Sequence, residues 1–244
     1  MKKLTLIALF FCPLLTYSQE KSIDSTAIYI LDRMSEVIGQ LESCSFHLST
    51  SSDHKNIYPL SGHSKEFTEH DVIMQGPDKM MVLAKGYPEN QGFYYNGEVF
   101  TRYSFDENNY TTVAAPNNIL STIDSINIKY DVEFPAADFF YPSFTDDLID
   151  NFDQIYFLGR KAINGTEVFQ IAAINDAMNV QIWISNDALT LPFKLSIINR
   201  DNELPIQYEA TFSDWEINVE YPEKIFDFIP PPGARLVAIL PKPI

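Results

Sequence analysis

The chain has 244 residues, with 17 Lys and Arg against 33 Asp and Glu, a formal charge of −16 and a pI near 4.5. Its 45% hydrophobic and 14% aromatic content exclude a disordered acidic tail, and the lack of surplus cation excludes a protein that grips nucleic-acid phosphates. Two Cys exclude a disulfide-dense scaffold.

Residues 1–18 read as a secretory signal peptide. Lys2 and Lys3 form the positive start, Leu4 to Leu15 the apolar run, and Thr16 and Ser18 the small residues before a cleavage point near Gln19. The run is too short to span a bilayer, and no later segment approaches ~18 uncharged residues, so no transmembrane segment is expected. Phe10 and Phe11 stand before Cys12 where a lipid-attachment motif needs small residues, so no lipid anchor is expected. Cleavage leaves 15 basic and 33 acidic residues, a net −18, and one thiol, Cys44, which reads as buried and inert. The remaining residues, 19–244, carry no Gly, Ser or Pro linker and fit one domain.

Ala27, Leu31, Met34, Ile38 and Leu41 recur at helical steps, which predicts an amphipathic helix over 24–41 capped by Asp24 or Ser25. From Ser45 the period becomes two. Asn96-Gly97 and Asn164-Gly165 predict tight hairpin turns with positive φ at both central positions. Further turns are expected at Tyr58–Ser61, Asp106–Asn109 and Asp201–Glu203, with a strand at Tyr110–Ala114.

Residues 117–153 break the pattern. Asn117 or Asn118 caps a helix through Ile119, Leu120, Ile123 and Ile126, and a run of rings with interspersed Pro follows. The expectation is short helices laid over a sheet. Beyond them Phe169 and Ile171, then Val180, Ile182 and Ile184, then Leu195 and Ile197, and finally Tyr208, Ala210 and Phe212 alternate with polar residues. That alternation predicts an antiparallel meander with one apolar face, to which Trp183 and Ile198 on the other face are exceptions.

Catalytic and metal signals are weak. His47, His54, His63 and His70 cluster in sequence, but strand parity sends His63 and His70 to opposite faces, so no metal is expected. Gly62-His63-Ser64 is not a nucleophile elbow. The acidic runs at Asp106 and Asn199–Glu203 lack Ca²⁺-loop spacing, and no phosphate-cradling glycine loop is present. The chain is expected not to be an enzyme and to need no cofactor.

Several short segments occur together in order: Ile30-Leu31-Asp32-Arg33-Met34, Phe134-Pro135-Ala136-Ala137-Asp138-Phe139-Phe140-Tyr141, Gln181-Ile182-Trp183-Ile184, Leu191-Pro192-Phe193-Lys194-Leu195 and Phe228-Ile229-Pro230-Pro231-Pro232-Gly233-Ala234. Together they resemble the predicted periplasmic proteins of the domain-of-unknown-function 2092 group, similar in fold to the lipoprotein carrier LolA and its receptor LolB. The resemblance implies an α+β fold: an incomplete, strongly curved antiparallel β-barrel, with an N-terminal helix and the 117–153 insert as a lid over the concave face. It also implies a soluble periplasmic monomer that holds a lipid, a lipoprotein acyl chain or another hydrophobic ligand. Parity places Phe169, Ile171, Val180, Ile182, Ile184, Leu195, Ile197, Tyr208 and Phe212 on the sheet wall of that hollow. Phe139, Phe140 and Tyr141 would come from the lid. The same fold serves regulators of envelope stress, so the alternative is an envelope-protein interaction or sensor module whose hollow is filled by its own side chains.

Overall fold

The computed structural model describes residues 21–55, 63–86, 89–200, 205–239 and 241. The signal peptide, Cys12 and the turns expected at Tyr58–Ser61 and Asp201–Glu203 lie outside them. After a two-residue strand β1 (Ser22–Ile23), helix α1 (Ser25–Gly39) starts where the Asp24 carboxylate accepts the Thr26 N–H at 2.7 Å. Its buried stripe is Ala27, Ile30, Leu31, Met34 and Ile38, spaced so that one face packs and the other stays wet.

Two meanders follow. The first is β2 (Ser43–Lys55), β3 (His63–Gln75), β4 (Lys79–Gly86), β5 (Gln91–Tyr95), β6 (Val99–Ser104) and β7 (Asn109–Ala114). The second is β8 (Gln154–Ile163), β9 (Thr166–Ile174), β10 (Met178–Ser185), β11 (Pro192–Asn199) and β12 (Ile206–Ile217), and a two-residue strand β13 (Arg235–Leu236) ends the series. All belong to one curved, unclosed 13-stranded sheet in the order β1-β8-β9-β10-β11-β12-β2-β3-β4-β5-β6-β7-β13. The pairs are antiparallel except β1 with β8 and β13 with β7, the short parallel pairs at the two rims.

The meanders join where β12 pairs with β2, in a register that sets Phe212 opposite Leu48 and Tyr208 opposite Ser52. This order leaves β7 and β8 near opposite rims. The chain between them must therefore cross the sheet, and it does so as α2 (Ile119–Tyr130), a 3₁₀ turn (Ala137–Phe140) and α3 (Phe144–Asn151). Asn118 caps α2 by accepting the Ser121 N–H at 2.8 Å. A one-sided apolar sheet needs such a cover, and the insert, α1 and the concave face share one core.

Two local expectations need correction. Asn164 and Gly165 both adopt positive φ, 51° and 85°, as their hairpin requires. At Asn96-Gly97 only Gly97 does, at 96°. There the Asn96 carboxamide oxygen accepts the N–H groups of Glu98 and Val99, and its amide donates to Asp227. These side-chain bonds select a longer connection between β5 and β6 over the two-residue turn. The outer face of the second meander is also less wet than its alternation implies: Val168 and Ala172 are buried there, and Lys194 lies over the Trp183 ring at 5.9 Å.

Candidate functional site

The concave face changes character along its strands. On β2 the same parity runs Cys44, Phe46, Leu48 and then Thr50, Ser52, His54; on β3 it runs Met74, Val72, His70 and then Thr68, Glu66. Tyr95, Phe93, Gln91 on β5 and Phe100, Arg102, Ser104 on β6 repeat the change. Strand pairing stacks these positions side by side, so the sheet presents an apolar half beneath the insert and a polar half beyond it.

The middle of the apolar half is filled, while about 350 Å³ stays open at its Cys44 and Met74 end, beside Ile119 and Phe140. Phe46 packs against Phe140 of the insert, Phe212 of β12 and Trp215, with ring centroids 5.8, 5.4 and 4.5 Å apart. The space left between this part of the sheet and the insert is about 40 Å³, bordered by Phe46, Leu48, His70, Val72, Phe134 and Phe140.

Larger space opens beside it. A cleft of about 770 Å³ is walled by Ile123 of α2, by Phe134 and Pro135, by Phe144, Leu148 and Phe152 of the α3 region, and by Met178 and Tyr208 from the sheet. A second cleft of about 560 Å³ covers the polar half, between β2–β6 and the 130–135 segment, with His70, Glu89, Arg102 and Tyr208 on its wall. Glu133, Pro135 and Tyr208 border both clefts, so they meet there.

The residues expected to wall a hollow share the concave side. Ile171, Val180, Ile182, Ile184, Leu195 and Phe212 are buried, and Phe169, Ile197 and Tyr208 are partly so. Phe139 is buried between α3 and Phe212, and Phe140 borders the small void. Tyr141 donates to the Asp124 carboxylate at 2.7 Å. Of this set, Tyr141 and Tyr208 border the larger cleft. Its other apolar walls include Ile123, Phe134, Phe144, Leu148 and Phe152, which the sequence places in the insert but not on the wall of the hollow, and Met178. The four-residue step from Phe144 to Leu148 was the available signal for one of them.

Electrostatics separate the two clefts from the rest of the shell. Burial lowers the His70 pKa to about 4, overriding the nearby Glu69 and Asp71 charges, so the ring is neutral. Burial also pushes the Tyr208 phenol up, reinforced by Asp138 and Glu133, so it keeps its proton. The Tyr208 hydroxyl and His70 Nε2 are buried with no hydrogen-bond partner among the described residues. His47, on the outer face, is different: its two ring nitrogens meet Asp71 at 2.8 Å and Glu69 at 2.7 Å. Among the described residues no group of three His, Cys, Asp or Glu is placed to hold a metal ion, and no helix is long and apolar enough to cross a membrane.

A family model described as "Predicted periplasmic protein (DUF2092)" matches residues 27–240. Among solved structures, the chain is similar to the lipoprotein LppX of Mycobacterium tuberculosis, at 15% identity and a TM-score of 0.50, over 81% of this chain and 98% of that one. It is similar to LprF of Mycobacterium bovis at 16% identity and a TM-score of 0.50, over 82% and 98%. A LolA superfamily protein of Nitrosomonas europaea aligns at 12% identity and a TM-score of 0.35, over 83% and 97%. At such identities the likeness to LppX and LprF is one of fold alone. No curated protein matches the sequence.

Proposed function

Because the chain belongs to the DUF2092 family of predicted periplasmic proteins, we propose that it is a periplasmic, non-enzymatic protein that binds a hydrophobic ligand, a lipid or an acyl chain, between its insert and its half-barrel. The positive start and apolar run of residues 1–18, which read as a signal peptide, support export. The observation that carries the reading is the 770 Å³ cleft walled by Ile123, Phe134, Phe144, Leu148 and Phe152. Its volume falls within the roughly 300–1,000 Å³ of small-molecule sites. Burying a chain of about ten methylenes gains about 8 kcal/mol at ~0.8 kcal/mol each, from which the cost of immobilising the ligand is subtracted.

One observation favours a second reading, an interaction module with a filled hollow. Only about 40 Å³ remains where Phe46, Leu48 and Val72 of the sheet face Phe134 and Phe140 of the insert, room for about one water. A ligand chain therefore occupies the open cleft, or enters deeper only if the insert shifts.

Mass spectrometry of the protein purified from the periplasm, with titration of an apolar fluorophore, separates the two. Co-purifying lipid and saturable fluorophore binding support the carrier. A lipid-free protein that binds no fluorophore leaves the filled module.

A further inference from the structure

We propose that the two clefts form one amphiphile site whose polar half, centred on Tyr208 and His70, takes a head group carrying N–H or O–H donors and rejects an anionic one. The inference rests on the hydrophobic-ligand reading and adds the chemistry of the ligand's polar end.

Three observations meet here. The clefts join at Glu133, Pro135 and Tyr208, so a chain lying along Phe134 and Phe144 delivers its polar end to the sheet beyond. At that end two polar atoms, Tyr208 Oη and Nε2 of His70, whose residue is 7% exposed, are buried without partners among the described residues. A buried unpaired polar group lowers stability, and the fold gains nothing visible from either. The charge around them is one-sided. Glu89, Asp131 and Glu133 border the polar cleft, and Asp124, Asp138 and Asp147 the apolar one. Among the described residues bordering the two, Arg102 alone is a Lys or Arg, and it is committed to Glu89 and, at 2.7 Å, to Gln91; His54, also on the wall of the polar cleft, is held by Glu66 at 2.9 Å. A phosphate or carboxylate entering there loses its hydration, meets carboxylates and finds no available cation. An ammonium or hydroxyl meets acceptors.

The test uses the purified protein and three probes sharing a twelve-carbon chain: dodecylammonium, glycerol monolaurate and dodecyl phosphate. Each displaces a bound apolar fluorophore below its micelle concentration. The ammonium and the glycerol ester are expected to bind at least tenfold tighter than the phosphate. Tyr208→Phe is expected to weaken both by threefold or more beyond any change in the fluorophore's own affinity, which is titrated for the same variant. Glu133→Gln should weaken the ammonium alone, and Glu223→Gln, an exposed acid elsewhere, should weaken none, which separates the site from the chain's general negative charge. Equal or tighter phosphate binding overturns the proposal, as does a Tyr208→Phe variant with unchanged affinities. Failure to bind even the fluorophore overturns the underlying hydrophobic-ligand reading, and this inference with it.

Discussion

The Phe139 ring of the insert meets the Phe212 ring of β12 edge to face, with centroids 5.6 Å apart and planes at 82°. Phe212 also touches Phe46 of β2, across the seam where the two meanders join. One aromatic cluster thus fastens the cover to the sheet and the two halves of the sheet to each other. Without the cover the concave face would meet water; without the seam there would be two smaller sheets, each with a long open edge.

Truncating either ring should therefore cost more than an ordinary surface change. Phe139→Ala and Phe212→Ala are each expected to destabilise by about 3–5 kcal/mol, since both side chains are almost fully buried. A double-mutant cycle, measured by urea denaturation, should return a coupling of about 0.5–1.5 kcal/mol for the ring pair. Additive losses would mean that the insert is held by its other contacts and that this pair transmits nothing.

His70 makes stability fall in mild acid. Burial lowers its folded pKa to about 4, below the ordinary 6.5, despite Glu69 and Asp71 nearby; the His47 charge adds to the lowering. The unfolded chain then takes up a proton below pH 6.5 that the folded chain refuses, so stability drops as pH falls from 6.5 towards 4. His70→Gln, neutral throughout, should be less acid-sensitive than the wild type by about 2 kcal/mol between pH 7 and pH 5. His47, whose pKa is raised chiefly by its bond to Asp71, works in the opposite sense but is common to both proteins. Urea midpoints at the two pH values check the difference, and parallel losses in both proteins would place the acid sensitivity elsewhere.

Local chemistry made much of this legible. The Ala27, Leu31, Met34 spacing marks α1, the Asn164-Gly165 pair marks its hairpin, and alternation from Val180 to Phe212 places those residues on the concave side. What was not legible is non-local. Nothing in either segment says that β12 lies beside β2, and it is this pairing that sends β7 and β8 to opposite rims and makes the insert cross the sheet. The cleft walls depend on that crossing: Phe134 and Phe152 border open space only because the insert arches between distant strands. Parity along β2 and β3 contained the change from apolar to polar, at Leu48–Thr50 and at His70–Thr68. Its meaning emerged once pairing brought those positions together.

Cys44 is buried, and burial pushes its thiol up to about 12. Its thiolate fraction at pH 8 is then about 10⁻⁴, far below that of a free thiol with a pKa near 8.5. The native protein is expected to react with a disulfide reagent at least ~100-fold more slowly than the protein in urea, with a rate that follows local opening. Rapid native modification at pH 8 would show that the segment at the start of β2 opens readily and would remove the case for an inert structural cysteine.

The segment after β12 returns across the sheet to protect its rim. Phe228 sits among Tyr94, Tyr103 and Tyr110 at centroid distances of 5.3, 5.2 and 5.1 Å, and β13 then pairs with β7. An uncovered β7 would offer a row of unpaired backbone groups to another chain. Phe228→Ala removes the ring that seats this segment and should cost about 2–4 kcal/mol, somewhat less than a fully buried Phe. It should also release the β7 edge, so the variant is expected to associate with rising concentration more strongly than the wild type. Sedimentation velocity over a hundredfold concentration range reads this directly. Amide exchange should show faster exchange at Val237, whose N–H donates to the Tyr110 carbonyl at 2.9 Å, while amides of the central β12–β2 seam keep their protection. A variant that sediments like the wild type with Val237 still protected would show that the backbone pairing holds the segment without its aromatic anchor.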